Sequence, residues 1–187
     1  KRQTVDSSPY GGGPGMVLRP DVLDRTLEAI SHVPGRRICL SPRGRRFDQA
    51  FAKELAHEPG IVLVCGRYEG IDQRVIEARE MEEVSLGDFV LTGGEIAAQA
   101  LLDATVRLLP GVIGSEQGLD EESFEDGLLE YPQYTHPKIW KGRSVPEVLL
   151  SGNHKKIAEW KKQQSELVTR NYRPDLWEAY EGVKVQI

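Results

Sequence analysis

Three short glycine-bearing segments are the first candidates for chemistry, because each follows an apolar run that predicts a strand. They are LSPRGR at Ser41–Arg45, CGRYEG at Gly66–Gly70 and LTGGE at Gly93-Gly94. Ligands of open parallel sheets bind outside the carboxyl ends of the strands, where backbone N–H and C=O groups are unpaired. The sequence has no GxxxxGKS or GxxxxGKT motif, so it predicts a nucleoside pocket better than a triphosphate site. Any one of these glycines alone is equally consistent with a tight turn.

A run of carboxylates is the second candidate. Asp120, Glu121 and Glu122 follow one another on a stretch without periodicity, with no lysine or arginine nearby in the chain. Crowded like charges raise a carboxyl pKa toward neutrality, and a carboxyl group with such a pKa suits a general base. Taken alone, a run of this kind is usually a solvated loop.

The histidines and cysteines give no comparable signal. The four histidines have no HExxH or paired spacing, and Cys39 and Cys65 lack the second pair that a metal or redox motif requires. We interpret both cysteines as small core residues and predict no metal site.

The elements that would position these segments alternate along the chain. The pattern predicts strands in RRICLSP, IVLVCG and EVSLGDFVL, the last broken at Gly87, and helices in FDQAFAKELAHE, IDQRVIEARE and EIAAQALLDATVRLLP. Thr92 and Glu95 stand three apart before the last helix, as in a capping box. Such alternation predicts an α/β fold, with a mostly parallel sheet and helices on both faces.

The second half of the chain predicts a different organisation. Residues 110–137 lack periodicity, and connections that long are usually functional or disordered. Beyond them, SVPEVLLSGNHKKIAEWKKQQSELVTR predicts helix in two pieces broken at Ser151-Gly152, and RPDLWEAY predicts a closing helix. We therefore divide the chain into an α/β domain over 1–112, an acidic linker over 113–137 and a small helical domain over 138–187.

Charge is distributed unevenly. The net charge of −5 argues weakly against a nucleic-acid partner, yet five arginines and no acid lie within Arg36–Arg46. Nine basic residues and three glutamates lie between Lys138 and Arg173. Each block is a candidate phosphate-facing patch, although a single block is equally a solvated face. No apolar run approaches the roughly 18 residues of a membrane span, so we expect a cytoplasmic protein without a membrane partner.

Seven motifs occur in a fixed order along the chain: PYGGGPGM, LSPRGR, LVCGRYEGID, SLGDFVLTGGE, RLLPGVIG, EESFEDGLLEYPQYTHP and VPEVLLSGNH. In this order they closely resemble the bacterial tRNA (guanine-N1)-methyltransferases of the TrmD type, members of the SPOUT class. The resemblance implies transfer of a methyl group from S-adenosylmethionine to N1 of the guanosine immediately 3′ of the tRNA anticodon. It also implies a trefoil knot and an obligate homodimer whose active sites use both subunits, and it leaves magnesium open as a second cofactor.

The same resemblance implies the site residues. The cofactor would lie in the knot loops, which coincide with the three glycine-bearing segments, at Leu40, Ser41, Pro42, Gly66, Tyr68, Glu69, Leu86, Gly87, Asp88, Phe89, Val90, Leu91, Gly93 and Gly94. The resemblance assigns Glu122 to the carboxylate that accepts the N1 proton and Arg107 to the cation that stabilises charge on O6. The basic helical domain would then hold the anticodon stem of the tRNA through its phosphates.

Several positions depart from the family pattern. Many members have aspartate where this chain has Glu122, which makes Asp120 a reserve candidate, and Arg43 stands where glutamine is usual. The segment Asp6–Pro9 also differs, and the family's first strand belongs to a region before residue 1 of this sequence. Two alternative functions follow: a SPOUT methyltransferase that acts on another RNA, and an RNA-binding module without activity.

Overall fold

The chain is divided into two compact units, Lys1–Gly114 and Ser115–Ile187. The structure, a computed structural model, describes residues 4–114 and 121–184. In the first unit the elements are β1 (Asp6–Ser7), β2 (Val17–Leu18), α1 (Pro20–Ala29), β3 (Arg36–Arg46), α2 (Gln49–Ala56), β4 (Ile61–Cys65), β5 (Gly70–Ile71), α3 (Gln73–Ala78), β6 (Glu82–Ser85) and α4 (Glu95–Val106). In the second unit they are β7 (Ile139–Trp140), β8 (Arg143–Ser144), a 3₁₀ helix (Glu147–Leu150), α5 (His154–Tyr172) and α6 (Pro174–Lys184).

A parallel sheet of order β4-β3-β6 forms the centre of the first unit. The central strand β3 pairs with β4 from Arg36↔Ile61 to Leu40↔Cys65 and with β6 on its other side. Both pairings are parallel, which confirms the predicted α/β architecture with a parallel sheet. A smaller sheet joins β1, β2 and β5.

Helices cover both faces of the central sheet. Alternate residues of a strand point to opposite faces, and β3 contributes apolar residues to both. Ile38 and Leu40 pack in one buried cluster with Phe51 and Leu55 of α2 and Leu101 of α4. Cys39 lies between these two residues on β3 and points to the opposite face, where it packs with α1 and α3. This second cluster is made of Leu27, Cys39, Val64, Val75, Ile76 and Met81. Cys39 is therefore a core residue, as predicted.

Aspartate and asparagine side chains begin three of the helices. Asp48 accepts a hydrogen bond from the Phe51 amide at 2.8 Å, and Asn153 accepts one from the Lys156 amide at 3.1 Å. Asp72 caps α3 in the same way. Such side chains satisfy backbone donors that the first turn of a helix leaves unpaired. The predicted capping box at Thr92 is wrong, because α4 begins after Gly94, which has helical backbone angles and no side-chain cap.

Two strand boundaries also differ from the sequence prediction. The strand predicted in EVSLGDFVL ends at Ser85, because Gly87 has a φ of 157°, in the region that favours glycine. The strand predicted in RRICLSP continues to Arg46, with a shift of register between Leu40 and Arg45. Its glycine-bearing segment is thus an irregular part of β3, and a Cβ on Gly44 would collide with the backbone of Glu83.

The second unit contains the predicted helices. The break at Ser151-Gly152 separates the 3₁₀ helix from α5, as the sequence indicates. The Arg170 guanidinium of α5 lies 4.5 Å from the centre of the Trp177 ring of α6. Among the described residues, no helix is long and apolar enough to cross a membrane.

Candidate functional site

The three glycine-bearing segments meet at one cavity in the first unit. The cavity has a volume of about 450 Å³ and is lined by residues 39–43, 66–71, 83–87 and 89–94, together with Ile76 and Ala97. Pockets for small molecules have volumes of roughly 300–1,000 Å³. Every residue predicted to hold the cofactor lines this cavity except Asp88, so the segments do lie together, as the ends of parallel strands should.

Backbone hydrogen bonds join the loop after β4 to its neighbours. The Gly94 amide donates to the Gly66 carbonyl at 3.0 Å, and the Glu69 amide donates to the Met16 carbonyl at 2.9 Å. Tyr68 has a φ of 62° and is exposed at the rim of the cavity. The loop is therefore attached at both the start of α4 and the glycine-rich segment before β2.

An ion pair reinforces the same corner of the cavity. Arg67 Nε lies 2.7 Å from Glu95 Oε1, and Arg67 also forms an isolated antiparallel bridge with Gly93. The pKa of Glu95 is lowered by a hydrogen bond from its own backbone N–H and by the Arg67 guanidinium. Sequence reasoning missed Arg67 as a pocket residue, because its partner lies 28 residues further along the chain.

A buried serine shapes the loop after β6. The Ser85 hydroxyl donates to the Gly87 carbonyl at 3.1 Å and accepts from the Gly87 amide at 3.2 Å. A Cβ on Gly87 would lie 2.9 Å from the ring of Phe89. The chain therefore turns outward here, leaving Phe89 and Val90 exposed at the cavity rim. Ser85 gave no signal in the sequence, since a serine closing a strand is common.

Gly94 is required by the packing of the protein itself. A Cβ at this position would lie 2.9 Å from Cys65 Cα and 3.2 Å from the Gly66 nitrogen. At Gly93, by contrast, the nearest atoms belong to the flexible ends of Arg67 and Glu95. The N-terminus of α4 can thus approach the end of β4 closely only when residue 94 is glycine.

Neither Cys39, which lines the cavity, nor Cys65 has the character of a nucleophile. Burial raises the pKa of the Cys39 thiol to about 11, with a smaller contribution from the Glu83 carboxylate. Burial likewise raises the pKa of Cys65. With these raised pKa values both side chains remain protonated thiols at neutral pH. Since the thiolate is the reactive form of cysteine, neither is suited to nucleophilic attack. Within residues 4–114 and 121–184, no cluster of three or more histidine, cysteine, aspartate or glutamate residues could hold a metal ion.

The acidic run has a charge partner that its sequence does not reveal. Asp120 lies outside the described residues, and Glu121 is held by Lys161 Nζ at 2.7 Å and by the Tyr131 hydroxyl at 2.8 Å. These two donors, the lysine first, lower the pKa of Glu121. The expectation of a raised pKa is therefore wrong for Glu121, because a cation 40 residues away in the chain lies beside it.

The segment that carries Glu122 is an ordered turn. The Glu130 amide donates to the Ser123 hydroxyl at 2.9 Å, and the Phe124 amide donates to the Leu128 carbonyl at 2.7 Å. We call residues 121–131 the acidic turn. It is attached to α5 at two points, through the ion pair of Glu121 and through the Leu129 amide, which donates to the buried Thr169 hydroxyl at 2.8 Å.

The two residues assigned to catalysis belong to different units. Arg107 is the residue that ends α4 in the first unit, and Glu122 lies on the acidic turn of the second. Different parts of the chain therefore position them. Each has a polar or charged contact in the structure.

The two basic blocks differ in how many of their charges are paired. In the first, Arg36 forms ion pairs with Glu54, Glu58 and Glu82, while Arg45 pairs with Glu54 at 2.8 Å. Arg43 pairs with Glu83 at 2.8 Å as well. Strands and helices distant in sequence thus supply carboxylates to three of the five arginines of this block. Its interpretation as a phosphate-facing patch stays a prediction. In the second block, Lys155, Lys156 and Lys162 are exposed on α5.

Comparison with known proteins defines the class of the chain. The family model described as tRNA (Guanine-1)-methyltransferase TrmD matches residues 1–179. The chain belongs to this family. The match confirms the family resemblance that the seven motifs of the sequence indicate.

Individual relatives agree with the family match. A protein of Rhodospirillum rubrum is 55% identical over 187 residues, which are 100% of this chain and 78% of that protein. Proteins of Ruegeria pomeroyi and Rhodopseudomonas palustris are 58% identical over 187 residues and 60% identical over 180. These two alignments cover 98% and 96% of this chain, and 77% and 71% of the relatives. All three relatives are named tRNA (guanine-N(1)-)-methyltransferase.

Proposed function

We propose that this chain transfers a methyl group from S-adenosylmethionine to N1 of the guanosine immediately 3′ of the tRNA anticodon, in the cytoplasm. The observation that carries the proposal is the single cavity formed by all three glycine-bearing segments, in a chain of the TrmD family. Residues 39–94 supply the cofactor pocket, and residues 138–187 supply the surface that holds the tRNA.

The cavity fits the proposed cofactor in size and chemistry. A volume of about 450 Å³ accommodates a nucleoside with a short side chain. Backbone groups of the loop after β4 and of the segment before α4 can bind an adenine edge, while Leu40, Ile76 and Ala97 provide apolar contact. When bound, S-adenosylmethionine supplies an electrophilic methyl group on a sulfonium.

Glu122 and Arg107 have complementary roles in the proposed reaction. Glu122 accepts the proton from guanine N1 as a general base. N1 then forms a bond to the methyl carbon while the carbon–sulfur bond breaks, leaving S-adenosylhomocysteine and a protonated Glu122. Arg107 stabilises the negative charge that develops on O6, as a fixed cation does for an oxyanion.

We also propose that two copies of the chain form a homodimer and that the cofactor loops are knotted. Leu102, Val106 and Leu109 repeat at intervals of four and three residues along α4 and the turn that follows, and all three are exposed. The spacing of Leu102 and Val106 places these two on one face of α4, and Leu109 follows the helix end. Exposed apolar residues of this kind favour a partner surface. The knot is supported by the family match.

A single-turnover methylation assay tests the function. Unmodified tRNA with guanosine after the anticodon should be methylated at N1, and the same tRNA with adenosine should not. Methylation of ribosomal RNA instead would favour another SPOUT activity, and failure to bind S-adenosylmethionine in calorimetry would favour a plain RNA-binding module. Magnesium, the other cofactor left open by the resemblance, is tested by EDTA in the same assay, where loss of methylation would support it.

The first prediction concerns the close approach at residue 94. Gly94→Val forces its side chain against the Cys65 backbone, and overpacking of this kind costs about 1–3 kcal/mol. Because residue 94 lines the cavity, cofactor binding must restore the original geometry at this cost, so we expect the dissociation constant for S-adenosylmethionine to rise about 5- to 150-fold in calorimetry. Gly114→Val is the control, because residue 114 lies outside the cavity lining and an added Cβ there meets no atom within 4 Å. Equal affinities in the two folded variants would refute this role of Gly94.

The second prediction concerns the exposed lysines of α5. Each phosphate contact contributes about 0.7–0.9 to the slope of log affinity against log salt. Replacing Lys155, Lys156 and Lys162 together by alanine should weaken tRNA binding and flatten this slope by about two to three, measured by filter binding. Arg25→Ala, which removes an exposed cation from α1, should leave the slope unchanged. A triple variant with the original slope would place the tRNA elsewhere.

A further inference from the structure

The hairpin formed by β7 and β8 is an exposed surface that the proposed reaction does not use. Its two-residue turn, Lys141 and Gly142, has φ values of 49° and 75°, as in the type I′ turns that join strands tightly. Trp140 is 57% exposed and Ile139 is 60% exposed. The hairpin thus holds a large aromatic side chain in solvent on a short, well-defined turn.

The strand register separates the two faces of the hairpin. Trp140 pairs directly with Arg143, and Ile139 pairs with Ser144. Directly opposed residues of antiparallel strands point to the same side, so Trp140 and Arg143 share one face. Lys141 adds a cation to it, since its Nζ lies 5.0 Å from the centre of the Trp140 ring.

The chain segment that forms this face carries charges of one sign. Lys138, Lys141 and Arg143 lie within six residues, and the next acid along the chain is Glu147. Within the parts of the chain that the structure describes, no carboxylate forms an ion pair with Lys141 or Arg143. An aromatic ring flanked by unneutralised cations complements a base followed by its phosphate better than it complements an apolar protein surface.

We propose that the Trp140–Arg143 face of this hairpin is a stacking platform for an unpaired nucleotide of the substrate tRNA. The inference rests on the proposed function for the identity of its partner. A base stacks on the Trp140 ring whatever its sequence, and Arg143 and Lys141 contact the adjoining phosphates. The platform therefore contributes affinity and position without selecting the methylated guanosine.

Substitutions on the two faces of the same hairpin test the proposal. Trp140→Ala should raise the dissociation constant for unmodified tRNA about 5- to 150-fold, the range typical of losing one stacked base. Trp140→Phe should restore most of the affinity, because a phenyl ring also stacks. Ile139→Ala is the matched control, since it removes an equally exposed apolar side chain from the opposite face, and it should change affinity less than about twofold.

The salt dependence separates stacking from phosphate contact. Trp140→Ala should leave the slope of log affinity against log salt unchanged, whereas Arg143→Gln should reduce it by about one. Equal affinities for Trp140→Ala and Ile139→Ala would overturn the inference. So would dissociation of the homodimer by Trp140→Ala in sedimentation at the same concentration, because the face would then contact a second copy. If the unaltered protein neither binds nor methylates tRNA, the proposed function itself fails.

Discussion

Glu122→Gln is expected to lower the single-turnover rate of tRNA methylation by about 10²- to 10⁴-fold, the usual contribution of general-base catalysis. The amide has nearly the shape of the carboxylate but cannot accept the N1 proton. Affinity for S-adenosylmethionine should be nearly unchanged, because the cofactor cavity is lined by residues of the first unit and Glu122 lies in the second. Rapid-quench methylation and calorimetry measure the two quantities separately.

Further substitutions on the acidic turn control this result. Asp126→Asn removes an exposed carboxylate from the same turn and should have little effect. Glu122→Asp should keep substantial activity, because the resemblance implies an aspartate at this position and the turn is held by hydrogen bonds at Ser123 and Phe124. A Glu122→Gln variant near the original rate, beside an inactive Asp120→Asn variant, would transfer the role of base to Asp120.

Arg107→Ala should act in the same direction as Glu122→Gln. Its loss removes the fixed cation proposed for O6, and loss of one such stabilising group typically costs about 10²- to 10³-fold in rate. An Arg107→Ala variant that keeps the original single-turnover rate would refute this role of Arg107.

Leu102→Glu is expected to separate the homodimer and to abolish methylation with it. The side chain is one of the exposed apolar residues on α4, and an unpaired charge buried in an interface costs about 3–5 kcal/mol. The dimer dissociation constant should therefore rise at least about 10²-fold, as measured by analytical ultracentrifugation.

The matched control for Leu102→Glu is Ala29→Glu. It adds the same charge to an exposed position on α1 of the same unit, and both dimerisation and methylation should survive it. A Leu102→Glu monomer that still methylates tRNA would show that each chain works alone.

The order of elements and the meeting of the glycine-bearing segments could be predicted from the sequence. Both depend on local signals: apolar runs identify strands, and the strand ends of a parallel sheet share one edge. Asp48 and Asn153 likewise begin their helices by interactions within three residues. Local sequence patterns are therefore sufficient to predict a feature when the residues that fix it lie close together along the chain.

The charge environment could not be predicted in the same way. Lys161 neutralises Glu121 from 40 residues away, and Glu83 neutralises Arg43 across the same interval. Ion pairs of this kind depend on tertiary structure, so runs of like charge in the sequence gave the wrong pKa direction for Glu121 and an arginine patch that is largely paired. The requirement for glycine at residue 94 also depends on tertiary structure, because it is set by the distance to the Cys65 backbone.

The attachment of the acidic turn to α5 restricts which insertions and deletions the chain can tolerate. Lys161, Ser165 and Thr169 follow one another at intervals of four residues, and Thr169 also donates to the Ser165 carbonyl at 2.7 Å. Each residue of an α-helix is rotated by about 100° from the one before it. One residue inserted between Lys161 and Thr169 would turn one attachment point away from the acidic turn while the other stayed in place. Length variation among relatives is therefore expected outside this stretch of α5, even where individual side chains differ.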